Sequence, residues 1–100
     1  MQNYVKKPDA VTAIKFEGGE ENAKTIVDWI TGLDLRAEYH PNGGQYNAAG
    51  EESSNEQIWL FNFWGAMGVD VGEWVVYDAE AVAASPMTDS QFSRQYELKK

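Results

Sequence analysis

The stretch that decides the fold is Ile58-Trp59-Leu60-Phe61-Asn62-Phe63-Trp64-Gly65-Ala66-Met67-Gly68-Val69-Asp70-Val71-Gly72-Glu73-Trp74-Val75-Val76. It holds three of the four tryptophans and two of the four phenylalanines. Its pattern is strand, tight glycine turn, short strand, second glycine turn, strand. Side chains alternate across a strand, so Ile58, Leu60, Asn62 and Trp64 project one way and Trp59, Phe61 and Phe63 the other. A strand apolar on both faces needs two covers. The even side is expected to meet a helix. The odd, aromatic side has no cover that the sequence names. Gly65 and Gly68 are expected to bracket the first reversal, with Val69 and Val71 as the short strand before Gly72.

Working outward, Glu20 to Thr31 supplies the helix. Ala23, Ile26, Val27 and Ile30 fall at i, i+3, i+4 and i+7, which places them on one helical face. Trp29 flanks that stripe and is expected half-buried at its edge. Glu20 and Glu21 put negative charge at the N-terminal end, where the helix dipole favours it. Gly32 is the expected left-handed cap. Before the helix, Ala10 to Phe16 is rich in β-branched and aromatic residues and reads as a strand. After it, Leu33, Leu35, Ala37 and Tyr39 alternate with Asp34, Arg36 and Glu38, the signature of a strand with one wet face. Ala81 to Ala84 is a strand of small residues that Pro86 closes. Thr88 and Gln91 have capping-box spacing, so a short helix starts at Asp89 with Phe92 as its inward anchor. Tyr96 and Leu98 are placed in a final strand. The sum is an α+β fold in a single domain, residues 1–100. A mostly antiparallel sheet of about five strands carries one main amphipathic helix on one face, with a short C-terminal helix or turn.

Residues 40–56 are a long polar loop with no apolar periodicity. Unstructured loops of that length are uncommon in compact domains, and are functional or disordered when they occur. A hairpin around Asn42-Gly43, returning through Gln45 to Ala48, is the one local structure it suggests.

Composition narrows the function. The formal net charge is −8, from sixteen acidic and eight basic side chains. That opposes direct nucleic-acid binding, which needs Lys and Arg on one face. It also opposes an anionic membrane surface, although acidity keeps small proteins soluble in any case. No cysteine is present, so there is no thiolate or disulfide chemistry. No apolar run approaches the roughly 18 residues of a bilayer span. The residues after Met1 form no apolar export core, which predicts a cytosolic location.

No catalytic or metal-binding constellation stands out. His40 is the only histidine, and it has no partner at catalytic or ligand spacing. Glu51, Glu52 and Glu56 lack the acidic spacing of a calcium loop. Gly65, Gly68 and Gly72 lack the Gly-Lys-[Ser/Thr] ending of a phosphate loop. No serine sits in a nucleophile elbow. The chain is therefore expected to be no enzyme and to carry no cofactor. The remaining signal is the aromatic excess, and an uncovered aromatic face marks a protein-binding or homodimer surface. The expected contact residues are Trp59, Phe61, Phe63 and Tyr46, with Glu51, Glu52 and Glu56 beside them.

Several short motifs carry a family resemblance. They are Lys7-Pro8, Val11 with Ala13-Ile14-x-Phe16, Gly72-Glu73-Trp74-Val75-Val76, Pro86, and Phe92 to Tyr96-Glu97. In these the chain resembles a group of small, uncharacterised proteins encoded by tailed bacteriophages and prophages. It departs from that group at Val71, where proline is usual, and at Glu73, where aspartate is usual. Val82-Ala83-Ala84-Ser85 also replaces an aromatic- and cysteine-bearing segment. The resemblance implies a phage origin, a location in the host cytoplasm and a compact α+β fold, with no enzymatic activity to carry over. The expected role is an accessory protein that binds a basic or amphipathic segment of a host protein. The alternatives are an acidic nucleic-acid mimic that inhibits a host defence enzyme, and a virion or assembly component.

Overall fold

The computed structural model describes residues 11–62 and 65–95. The order of elements is β1 (Val11–Lys15), α1 (Glu20–Thr31), β2 (Ala37–His40), β3 (Gln57–Asn62), β4 (Gly65–Asp70), β5 (Trp74–Asp78), β6 (Ala83–Met87) and α2 (Asp89–Gln95). The fold is α+β, and among the described residues every strand pairing is antiparallel. Instead of one sheet of about five strands, the six form two three-stranded sheets, β1-β5-β6 and β2-β3-β4. The break falls between β4 and β5, where Val71 and Gly72 turn the chain out of one sheet and into the other. Gly72 sits at φ +95°, a conformation that glycine adopts without a Cβ clash.

Helix α1 spans Glu20–Thr31 as its periodicity predicts. Ala23, Ile26 and Ile30 are buried, and Trp29 sits half-buried with its ring edge-on to Tyr77. These side chains meet Phe16, Ala37, Ile58, Leu60, Val69 and Val75 in one apolar core drawn from both sheets. The even side of β3 therefore faces inward as expected, with Ile58 and Leu60 buried. The helix ends differently from expectation. Gly32 is right-handed at φ −66°, and the left-handed residue is Asp34 at φ +63°. Aspartate tolerates that region because its short polar side chain can bond locally. The turn takes up Leu33 and Asp34, whose N–H groups bond back to Ile30 and Thr31. Strand β2 consequently starts only at Ala37.

Two glycine and proline expectations change for the same reason, which is strand parity. Asn62 and Gly65 are opposite one another in the β3–β4 register. Gly68 thus lies inside β4, opposite Trp59, and does not bracket the turn. Likewise Pro86 lies inside β6, opposite Val75. The Phe16 N–H donates to the Glu73 carbonyl, so odd-numbered β5 residues bond towards β1 and even-numbered ones towards β6. Ser85 and Met87, opposite Val76 and Trp74, therefore complete the ladder. The backbone nitrogen of Pro86 points off the sheet edge, where a missing N–H costs nothing.

The capping box forms as predicted. Thr88 Oγ1 accepts from the Gln91 N–H and Gln91 Oε1 accepts from the Thr88 N–H, each at 3.1 Å. Phe92 is buried and stacks on Trp74 at 4.0 Å between ring centroids. Phe63, Trp64, Tyr96 and Leu98 lie outside the described residues, as does the Lys7-Pro8 pair.

Candidate functional site

The polar loop is a folded excursion tied to the sheet. It makes a tight turn at its start, where the Gly43 N–H donates to the His40 carbonyl. The Gly44 N–H then donates to the Ser53 carbonyl at 2.8 Å. The reversal expected at Asn42-Gly43 falls later, at 47–50. Tyr46 and Glu52 form an antiparallel bridge there, and Asn47 Oδ1 accepts the Ala49 and Glu51 N–H groups.

Beneath the loop lies a buried polar network that no sequence motif announced. Gln57 is completely buried on the odd side of β3. Its Oε1 accepts from the Gln45 N–H and from Trp59 Nε1, and its Nε2 donates to the Gln45 carbonyl and to Asp70 Oδ1. Asp70 Oδ2 accepts from Asn47 Nδ2. Glu73, 8% exposed, accepts at Oε1 from the Asp70 N–H (2.9 Å) and from the Ala48 N–H in the loop (3.1 Å). Burial raises the Glu73 carboxyl above its ordinary pKa, and the nearby Asp70 charge pushes the same way against the backbone donors. Gly68 leaves the room this network needs, since a Cβ there would lie 2.5 Å from Gln57 Nε2. The signal available in sequence was weak: a polar Gln57 leading an apolar strand, and a glycine in the middle of the next.

The expected contact residues separate into groups. Tyr46 is 62% exposed. Glu51 and Glu52 are exposed on the same excursion, and among the described residues neither carboxylate makes an ion pair. Residues opposite in an antiparallel bridge share a face, so Glu52 stands beside Tyr46. Glu56 lies apart from them. Its Oε1 accepts from the Gly19 N–H at the start of α1 (2.9 Å) and from the Tyr39 hydroxyl (3.0 Å). There it supplies the negative charge that a helix N-terminus favours. The same bond, made by the phenol, raises the Tyr39 pKa.

The odd face of β3 has a cover after all, and it comes from β2 and from Arg36 just before it. The His40 ring stacks on Trp59 at 3.5 Å between centroids. The Arg36 guanidinium lies 4.3 Å from the Phe61 ring centroid. Glu38 holds both, with Arg36 Nη2 at 2.7 Å and His40 Nε2 at 2.9 Å. These partners, Arg36 before His40, pull the Glu38 carboxyl below its ordinary range. Trp59 and Phe61 are thus half-buried.

Between Tyr46 and β6 runs an open cleft of about 420 Å³, lined by Gln45 to Ala48, Ala66, Met67, Ser85 and Pro86. Its volume is in the range that holds a small ligand or an anchoring side chain. Among the described residues there is no group of three or more metal-ligating side chains. No described helix is long and apolar enough to cross a membrane. Compared with known proteins, the chain matches no family model, no curated protein and no solved structure.

Proposed function

We propose that the chain is a small phage accessory protein that binds a host protein in the host cytoplasm and catalyses no reaction of its own. The observation that carries this reading is the construction of the 45–52 excursion. Its inner side is pinned by Gln57, Asp70 and Glu73. Its outer side presents an exposed tyrosine and two carboxylates that make no ion pair among the described residues. A rigid, aromatic, acidic projection loses little entropy on docking. It suits a basic or amphipathic partner segment. The phage origin rests on the resemblance in Ala13-Ile14-x-Phe16 and Gly72 to Val76.

The nucleic-acid-mimic reading asks for carboxylates spaced along one face. Asp70 and Glu73 turn inward and Glu56 serves Gly19 and Tyr39, so these three do not contribute to such a face. The test is capture from host lysate with the wild type, with Tyr46→Ala and with the double reversal Glu51→Lys/Glu52→Lys. A discrete partner retained by wild type and lost by both variants is expected. Identical capture by all three proteins, or none by the wild type, overturns the proposal.

A further inference from the structure

The geometry points to strand addition at the cleft: the open edge of β4 at Ala66 takes an extended peptide segment bearing Lys or Arg at alternate positions. This rests on the reading of the chain as a protein-binding module and specifies its mode.

Parity places the edge. The Asp70 N–H donates to Glu73 Oε1 and the Gly68 N–H to the Tyr46 carbonyl, away from β3 in both cases. Even-numbered β4 residues therefore aim their backbone outward, and Ala66 continues the series. At Gly68 that outward edge is already occupied by the Tyr46 backbone, which behaves as one residue of an added strand. Among the described residues the occupation stops at Ala66, where the cleft begins. An exposed sheet edge of this kind is a template for an incoming strand. On the far wall Pro86 has no N–H to offer, so the β6 side competes poorly for the same segment.

Charge selects the occupant. Glu52 stands beside Tyr46, which lines the cleft, and Glu51 adjoins it in sequence. Side chains at alternate positions of a strand fall on one face, so a segment reading basic-apolar-basic can set cations against these carboxylates while its apolar residue enters between Met67 and Pro86. Three of the four described cations are already paired, Lys15 with Asp89, Lys24 with Asp28 and Arg36 with Glu38.

The experiment is an amide NMR titration of the whole chain with the capped peptide Lys-Val-Lys-Val-Lys. Its Glu-Val-Glu-Val-Glu counterpart and a version N-methylated at both valines serve as controls. Expected is a shift of the Ala66 amide with the lysine peptide only. Binding should weaken about three- to tenfold when Glu51 and Glu52 are both changed to Gln, the range set by partly exposed ion pairs. N-methylation, or Ala66→Pro in a variant whose circular dichroism is unchanged, should remove the Ala66 response. Shifts confined to residues 47–52 would reduce the contact to charge alone and overturn strand addition. Shifts centred on Trp59 and Phe61 would move the site and overturn it as well. An Ala66 shift that depends on protein concentration without peptide would make a second copy the occupant. In any of these cases, capture of a host protein that still depends on Glu51 and Glu52 leaves the module reading standing. Capture indifferent to both removes that reading too.

Discussion

Glu73 offers the sharpest test of the forces that hold the excursion in place. The residue is 8% exposed, and its carboxylate accepts two backbone N–H groups at one oxygen, from Asp70 and from Ala48. Burial favours the protonated form, so its folded pKa lies above the unfolded one. The sign follows from linkage. Between the unfolded and folded values the native state holds a proton that the unfolded chain has released. The stability contribution is therefore complete below the ordinary carboxyl pKa of 4.5. It falls as pH rises through the folded value and is flat above it. Glu73→Gln keeps an amide oxygen for both N–H groups and carries no charge. At neutral pH it should match or exceed the wild type in stability, and it should lack the fall with pH. Glu73→Ala leaves both donors without an acceptor. A buried, unsatisfied group costs about 1–3 kcal/mol. Relief of the buried charge offsets part of that, and the half-buried Ala48 can reach water, so the net loss should be about 1–3 kcal/mol. With a urea slope of about 1–3 kcal/mol per molar for a chain of this size, the midpoint should drop by roughly 1 M. Urea unfolding of the three proteins at several pH values between about 4 and 7 reads both effects, since the wild-type-minus-Gln difference removes the other titrating groups. A Gln variant as unstable as the Ala variant at neutral pH would refute the reasoning. So would a wild type that gains stability over Gln as pH rises.

Other positions give independent checks. Gly68→Ala should destabilise by about 1–3 kcal/mol, because its Cβ would press on the side chain of Gln57, already committed to four hydrogen bonds; thermal unfolding measures it. Gly43→Ala, at φ +64° with its Cβ against the Asn55 and Ser53 carbonyls, should lose more stability than Gly50→Ala, where no atom lies within 4 Å of the added carbon. Val82 is a β-branched residue at φ +50° and 57% exposed. Val82→Gly should therefore raise the melting temperature, since the relieved strain is about 1 kcal/mol and little packing is lost. Phe92→Ala removes the ring stacked on Trp74 and should cost about 3 kcal/mol, with a change in tryptophan emission reporting the exposed indole.

The parts of the fold legible in sequence are those set by short-range patterns. Ala23, Ile26, Val27 and Ile30 repeat at helical spacing, and Thr88-x-x-Gln91 caps its own helix, because in both cases the interacting groups lie within a few residues. The alternation in β3 likewise put Ile58 and Leu60 inside. The aromatic partners Trp59 and Phe61 were visible as a set, but their cover was not. His40 and Arg36 reach them only through the β2–β3 register, and in sequence Arg36 and Glu38 read simply as the wet face of a strand and His40 as a lone histidine. Pro86 misled for a related reason. Proline ends a strand only where its missing N–H falls on the ladder side, and that side depends on the β1–β5 bonds that no local pattern encodes.

The excursion shows the same division at the candidate site. Sequence alone identified Tyr46, Glu51, Glu52 and Glu56 as unusual residues in a long polar loop. It could not separate Glu56, bonded to Gly19 and Tyr39, from Glu51 and Glu52, which face solvent. Nor could it reveal that Gln57, Asp70 and Glu73 hold the loop down, or that the loop stops one register position short of Ala66 and leaves an edge open. Local patterns determined the main helix, the cap of the second and the burial parity of β3, because each depends on neighbours along the chain. Tertiary structure decided the split into two sheets, the use of each carboxylate and the position of the cleft. Each of these depends on contacts between residues far apart in sequence, where a polar side chain looks the same whether it will be buried and bonded or left in water.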